Sequence, residues 1–291
     1  MRLLVSLLLA ALSVSPLLGH ADARPRERPR PRVPVPVRSP GSCPPEMIHV
    51  GQFCVDRWEA SLVDRTSGRA LSPYFPAQPK ALARVREVWL VERFLHGDSA
   101  AQSMPLPDLP AWQLAAKFEP MAVSAPGRVP SGYLSYHDAR KACTAAGKRL
   151  CSEEEWVAAC RGKAATKFPY GAHYLPGRCN VYRLEHPASV LHGNASMGLL
   201  DPRLNLVSEE GGEPLLRLTG ATRGCESQWD DGSLFDMVGN LDEWVEDPTG
   251  VFVGGFYARM TQKGCEAKIS GHAASYYDYS TGTRCCKDPG P

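Results

Sequence analysis

Ser135-Tyr136-His137-Asp138-Ala139-Arg140-Lys141-Ala142-Cys143 leads through Ala146-Gly147-Lys148-Arg149-Leu150 into Ser152-Glu153-Glu154-Glu155-Trp156. Two helix starts are written into these residues. Ser135 with Asp138, and Ser152 with Glu155, have the spacing at which a hydroxyl and a carboxylate cap each other's backbone N–H groups. The first start predicts a helix with Ala139, Ala142, Cys143 and Ala146 on its apolar face, closed by Gly147. The second predicts a helix with Trp156, Ala159 and Cys160 inward and Gly162 just beyond its end. Past Gly162 helical periodicity fades. Short β-like runs such as 251–257 alternate with turn-rich segments, so the second half reads as loops and small strands.

The chain around this pair has 291 residues, 43% of them hydrophobic and 22% charged, which excludes wholesale disorder and leaves room for a sizeable core. Arg2 and the apolar run Leu3–Leu12, followed by Ala21-Asp22-Ala23, read as a cleaved signal peptide over 1–23. No other apolar stretch is long enough to cross a bilayer. Residues 24–41 alternate Arg with Pro, then Val with Pro, and form a semi-rigid tether with six arginines against Glu27. Globular sequence is expected over 42–291. That part is mildly acidic, so it offers no basic field for nucleic acid. Ten cysteines in an exported chain, none in a Cys-x-x-Cys pair, predict five disulfides and no free thiol. The expected location is therefore secreted, periplasmic or in the cell envelope.

Residues 80–95 carry the best long helical pattern, with Leu82, Val85, Trp89 and Val88 on one face. The Pro- and Ala-rich stretch 98–130 reads as irregular. No Gly-x-Ser-x-Gly, Gly-x-Gly-x-x-Gly or P-loop motif is present, which sets aside serine hydrolases and nucleotide binders. The eight histidines are scattered. His137 reads as a surface or packing residue, and His186, His192 and His272 lie in loops whose convergence the sequence does not decide.

Beyond the helix pair the order of motifs is specific: Phe168-Pro169-Tyr170-Gly171, Cys179-Asn180-Val181, Phe235-Asp236-Met237-Val238-Gly239-Asn240-Leu241-Asp242-Glu243-Trp244, Gly254-Gly255-Phe256 and Gly282-Thr283-Arg284-Cys285. This set resembles the sulfatase-modifying-factor family, which includes the formylglycine-generating enzyme, over roughly 43–288. The resemblance implies an α+β, C-type-lectin-like fold: two capped helices, a small twisted sheet and long disulfide-tied loops. The insertion at 62–128 has no clear family counterpart. The resemblance further implies bridges Cys143–Cys285 and Cys160–Cys265. Cys151 with Cys286 could form an extra bridge, leaving Cys179–Cys225 and Cys43–Cys54, among the many connectivities that ten cysteines allow.

Family enzymes oxidise a sulfatase cysteine to formylglycine with oxygen and a copper ion held by two cysteines after the Gly-Gly motif. Arg259 stands where the first of these belongs, and Cys265 is taken by a structural bridge, so copper is not expected. Calcium is the expected metal. The resemblance assigns it to Asp236, Gly239, Leu241 and Glu243, with a second site beginning at Asn180 and Val181, a set of hard oxygen ligands. Asp242 is a second departure, placing a charge where the family has an apolar or aromatic residue. The leading function is a non-oxidase module that binds a protein, peptide or glycan. The alternative is a metal-dependent oxidoreductase acting on a protein or peptide.

Overall fold

The computed structural model describes residues 42–290 except 96, 116, 210 and 211. The expected signal segment 1–23 and tether 24–41 lie outside the described residues. In chain order the elements are β1 Met47–Val50, β2 Phe53–Asp56, β3 Ala60–Asp64, α1 Pro79–Glu92, α2 Ser99–Ser103, α3 Ala111–Ala115, β4 Pro120–Ser124, α4 Tyr136–Ala145 and β5 Arg149–Leu150. Then come α5 Glu153–Arg161, α6 Pro187–His192, β6 Glu226–Trp229, β7 Gly232–Phe235, β8 Asp242–Trp244, β9 Val251–Val253, β10 Lys268–Ser270, β11 Thr281–Thr283 and β12 Cys285–Lys287.

Two four-stranded sheets, ordered β1-β2-β12-β5 and β10-β9-β8-β11, carry the fold, with hairpin-like pairs β3-β4 and β6-β7 beside them. All pairings are antiparallel except β8 with β11. Only Arg284 separates β11 from β12, so the chain passes from one large sheet to the other across a single residue.

Both capping boxes form. Ser135 Oγ accepts from Asp138 N and Ser152 Oγ from Glu155 N, each at 3.2 Å, and each acid accepts the N-cap N–H in return. The buried faces of α4 and α5 hold Ala139, Ala142 and Cys143, and Trp156, Ala159 and Cys160; Ala146 is only half-buried. The predicted 251–257 strand stops at Val253. Gly254, at φ +88°, lies against Trp156, where a Cβ would approach the indole ring to 3.1 Å. Strand continuation there would cost the close approach of chain and indole.

The insertion is more ordered than its composition suggests. Within 98–130, α2 is capped by Asp98 accepting from Ala101 N at 2.7 Å, α3 follows, and β4 pairs with the whole of β3 from Ala60↔Ser124 to Asp64↔Pro120. Five-residue helices complete little more than one turn, too short for periodicity to register. The helix expected over 80–95 runs from Pro79 to Glu92, with Leu82 and Val85 buried and Val88 and Trp89 half-buried. No helix among the described residues is long and apolar enough to cross a membrane.

Five disulfides consume all ten cysteines: Cys43–Cys54, Cys143–Cys285, Cys151–Cys286, Cys160–Cys265 and Cys179–Cys225. The two bridges implied by the resemblance are among them. Adjacent strand residues point to opposite faces, so Cys285 reaches α4 while Cys286 reaches Cys151 ahead of α5. Five buried bridges fit an oxidising compartment. Alkylation of unfolded, unreduced protein is expected to add no label, as read by intact mass; a labelled peptide containing Cys265 would contradict the pairing.

Candidate functional site

Strand β8 supplies Asp242, Glu243 and Trp244, all buried. Glu243 faces Arg284, whose Nε lies 2.7 Å from Oε2 and whose Nη2 lies 2.8 Å from Oε1; Trp156 Nε1 also donates to Oε2 at 2.6 Å. The remaining Arg284 N–H groups donate to the carbonyls of Asp56, at 3.1 Å, and Phe235, at 2.8 Å. Glu59 closes the group by accepting from Asn240 Nδ2 at 2.6 Å and Leu241 N at 3.1 Å. Asp236 Oδ2 accepts from Gly220 N at 2.6 Å, while Oδ1 is buried with no hydrogen-bond partner among the described residues.

Three buried carboxylates thus share one guanidinium. Burial pushes Asp236 up to about 7, and burial followed by repulsion from Asp236 and Glu243 pushes Glu59 well above the usual carboxylate range.

The two expected calcium sites adjoin, since a Cβ on Gly239 would meet the Asn180 carbonyl oxygen at 2.2 Å. Several of their oxygens are already engaged within the chain. Both oxygens of Glu243 are taken by Arg284 and Trp156. Asn180 Oδ1 accepts from Arg183 Nε at 2.7 Å, and its Nδ2 donates to the Leu215 carbonyl and to Asn240, each at 2.9 Å. The Asn180 carbonyl accepts from Asn240 N at 2.9 Å. Among the described residues no group of three or more His, Cys, Asp or Glu is arranged to hold a metal.

Asp242, on the other face of β8, meets Arg259. The two positions where the sequence departs from the family pattern form one bidentate ion pair, with Nη1–Oδ1 at 2.9 Å and Nη2–Oδ2 at 2.7 Å. The Asp242 side chain is fully buried and that of Arg259 is 33% exposed. The guanidinium also lies 4.9 Å from the centre of the Phe256 ring. Its segment is clamped, because Tyr182 N and Arg183 N donate to the Arg259 and Tyr257 carbonyls and the buried Tyr257 hydroxyl donates to Asn205 at 2.8 Å. Burial pushes Asp242 up to about 7 against the downward pull of Arg259. Beside the pair lies a cleft of about 440 Å³ lined by Arg259, Met260, Lys263, Ala267, Lys268 and Ile269, among others. Cys265 is fully buried in its bridge to Cys160.

His186 and His272 lie in loops, but His192 is the last residue of α6, and the three make separate contacts. His186 Nε2 meets the Tyr279 hydroxyl at 3.1 Å, His272 stacks on Phe252 and Tyr276, and buried His192 bonds Asp201, itself chelated by Arg203. His137 is exposed on α4. Sequence reasoning missed Glu59 and gave no role to Arg284 or Arg183. Arg284 stands inside a quoted motif, the one signal that pointed to it.

A family model described as the sulfatase-modifying factor enzyme 1-like domain matches residues 112–289. Over 122 residues the chain is 28% identical to a Bos taurus protein named inactive C-alpha-formylglycine-generating enzyme 2, covering 40% of this chain and 32% of that protein. The Mus musculus protein of the same name is 24% identical over 170 residues, covering 54% and 47%. The chain thus spans between about a third and a half of the length of the curated relatives it matches. Among solved structures, CarF aligns at 13% identity over 81% of this chain and 86% of its own, with a TM-score of 0.38. PvdO from Pseudomonas aeruginosa aligns at 16% identity over 87% and 100%, with a TM-score of 0.37.

Because the folded Asp242 carboxyl titrates above its unfolded value of 3.8, the native chain holds a proton there between about pH 4 and 7, and that stabilisation is lost as pH rises through about 7. Arg259→Ala removes the cation that offsets the buried charge. It should cost about 3 kcal/mol at pH 8, the low end for stripping a buried charge of its partner because one side is partly open to water. The loss should shrink at pH 5, where Asp242 is protonated. Denaturant unfolding at both pH values checks this, and an equal cost would contradict it.

Proposed function

The chain belongs to the sulfatase-modifying factor enzyme 1-like domain family, and from that premise we propose that it is an exported member that binds a protein, peptide or glycan and does not oxidise cysteine. The observation that carries this reading is the Arg259–Asp242 pair. Copper-dependent oxidation needs two soft thiolates on one metal. A guanidinium occupies the first position, and it cannot ligate a metal because it is cationic and has only donors. The next cysteine, Cys265, is locked in a buried bridge and offers no thiolate. The bovine and murine relatives are themselves named inactive, which supports extending that property to this chain.

What remains is a rigid scaffold with a half-open cleft at the departed centre. The buried Cys160–Cys265 bridge anchors one wall, which lowers the ordering cost of binding. Export is supported by the signal-like N-terminus and by the bridges.

Incubation with a cysteine-containing peptide, oxygen and copper is expected to give no aldehyde, read as the absence of a hydrazide mass adduct. Stoichiometric aldehyde would overturn the binding reading in favour of an oxidase.

Within the same reading, Arg284 and Arg183 supply internally the positive charge that the family resemblance assigns to calcium. The melting temperature of the full chain should then stay within about 1 °C on adding a chelator or millimolar calcium. A chelator-induced fall, restored by calcium, would return Asp236 and Glu243 to the role of ligands.

A further inference from the structure

We propose that the cleft beside Arg259 takes an extended acidic peptide, added as an extra strand along the edge of β10. This rests on the binding reading given above for the same site. Strand β10 is the terminal strand of its sheet, with β9 its one strand neighbour among the described residues. Its Lys268 and Ser270 are exposed and Ile269 is half-buried between them. An edge strand presents unpaired N–H and C=O groups, a ready template for another extended chain.

The cleft runs alongside this edge, since Ala267, Lys268 and Ile269 line it together with Arg259, Met260 and Lys263. Three cations line it and no acid does. Their charges are not equally spent. Arg259 gives one N–H from each terminal nitrogen to Asp242, leaving Nε–H and the outer N–H groups for a ligand. Lys268 holds Glu153 at 2.7 Å, but the two side chains are 51% and 30% exposed, an ion pair of little strength that a ligand carboxylate can replace. Exposed Glu266 is held by Arg161. Lys263 has no acid within 4.0 Å among the described residues and carries the uncompensated charge of the cleft.

Strand addition sets the pattern of the ligand. Side chains alternate between faces along an extended peptide, so acids at every second position face the cations. The residues between them point to the opposite face, away from the cleft, and are β-branched to favour extended backbone. Main-chain bonding to β10 supplies affinity, and the alternation supplies selectivity.

Fluorescence anisotropy of the full chain with a fluorescein-labelled hexapeptide alternating glutamate and valine tests this. Binding is expected at low salt and should weaken at least tenfold at 0.5 M sodium chloride. A peptide alternating lysine and valine should bind at least tenfold more weakly, as should the acidic peptide N-methylated at alternate positions. Lys263→Glu should weaken binding at least tenfold, while Lys80→Glu on α1, away from the cleft lining, should leave it unchanged. Equal binding of the lysine peptide, indifference to Lys263→Glu or no binding of the acidic peptide would each overturn the proposal. So would equal competition by a sulfated oligosaccharide without sensitivity to N-methylation, which would make the occupant a glycan. These outcomes leave the binding reading standing, because only aldehyde formation removes that.

Discussion

Where the chain leaves one large sheet for the other, the crossing residue is Arg284, and its guanidinium is almost completely enclosed. Its fixed fork of donors needs acceptors on several sides at once. Glu243 of β8 supplies two, and the carbonyls of Asp56 and Phe235 supply others. Through Glu243 the contact extends to Trp156, which anchors α5. Both sheets, the second helix and the N-terminal hairpin therefore meet around this one side chain. A buried ion pair need not outdo apolar packing in net stability. Its effect here is to make misassembly costly, since any shift strands a charge in the interior.

Strand alternation then assigns the next residue its place. With Glu243 turned toward Arg284, Asp242 must face the opposite side of β8, where Arg259 waits. Each partner makes the other necessary. Without Arg259 a fully buried carboxylate is bare, and without Asp242 the guanidinium is left against Phe256 with its charge unanswered. The same strand that organises the core thus fixes what stands at the surface cleft.

The helix pair was legible because each capping box lies within four residues and needs no knowledge of the fold. Arg259 and Asp242 were each conspicuous as departures from a motif, but their union was not. They are 17 residues apart, and the reversal through Gly254-Gly255 that joins them is a tertiary fact. Glu59 was invisible for the same reason, reaching Leu241 N across 182 positions of sequence. The short elements of 98–130 left no trace, because a five-residue helix has barely one buried side to display. The ligands assigned to calcium were legible as oxygen donors only. That Arg183 and Arg284 bond to two of them is a tertiary fact that no spacing rule contains.

Cys285 and Cys286 fasten the C-terminal strand to both sides of the helix pair, while Cys160–Cys265 and Cys179–Cys225 bracket the loops between. A protease that severs the backbone anywhere from 180 to 224 therefore releases nothing: the two halves stay joined by four covalent links. Damage to the longest loops becomes a nick in a closed loop, not the loss of a domain.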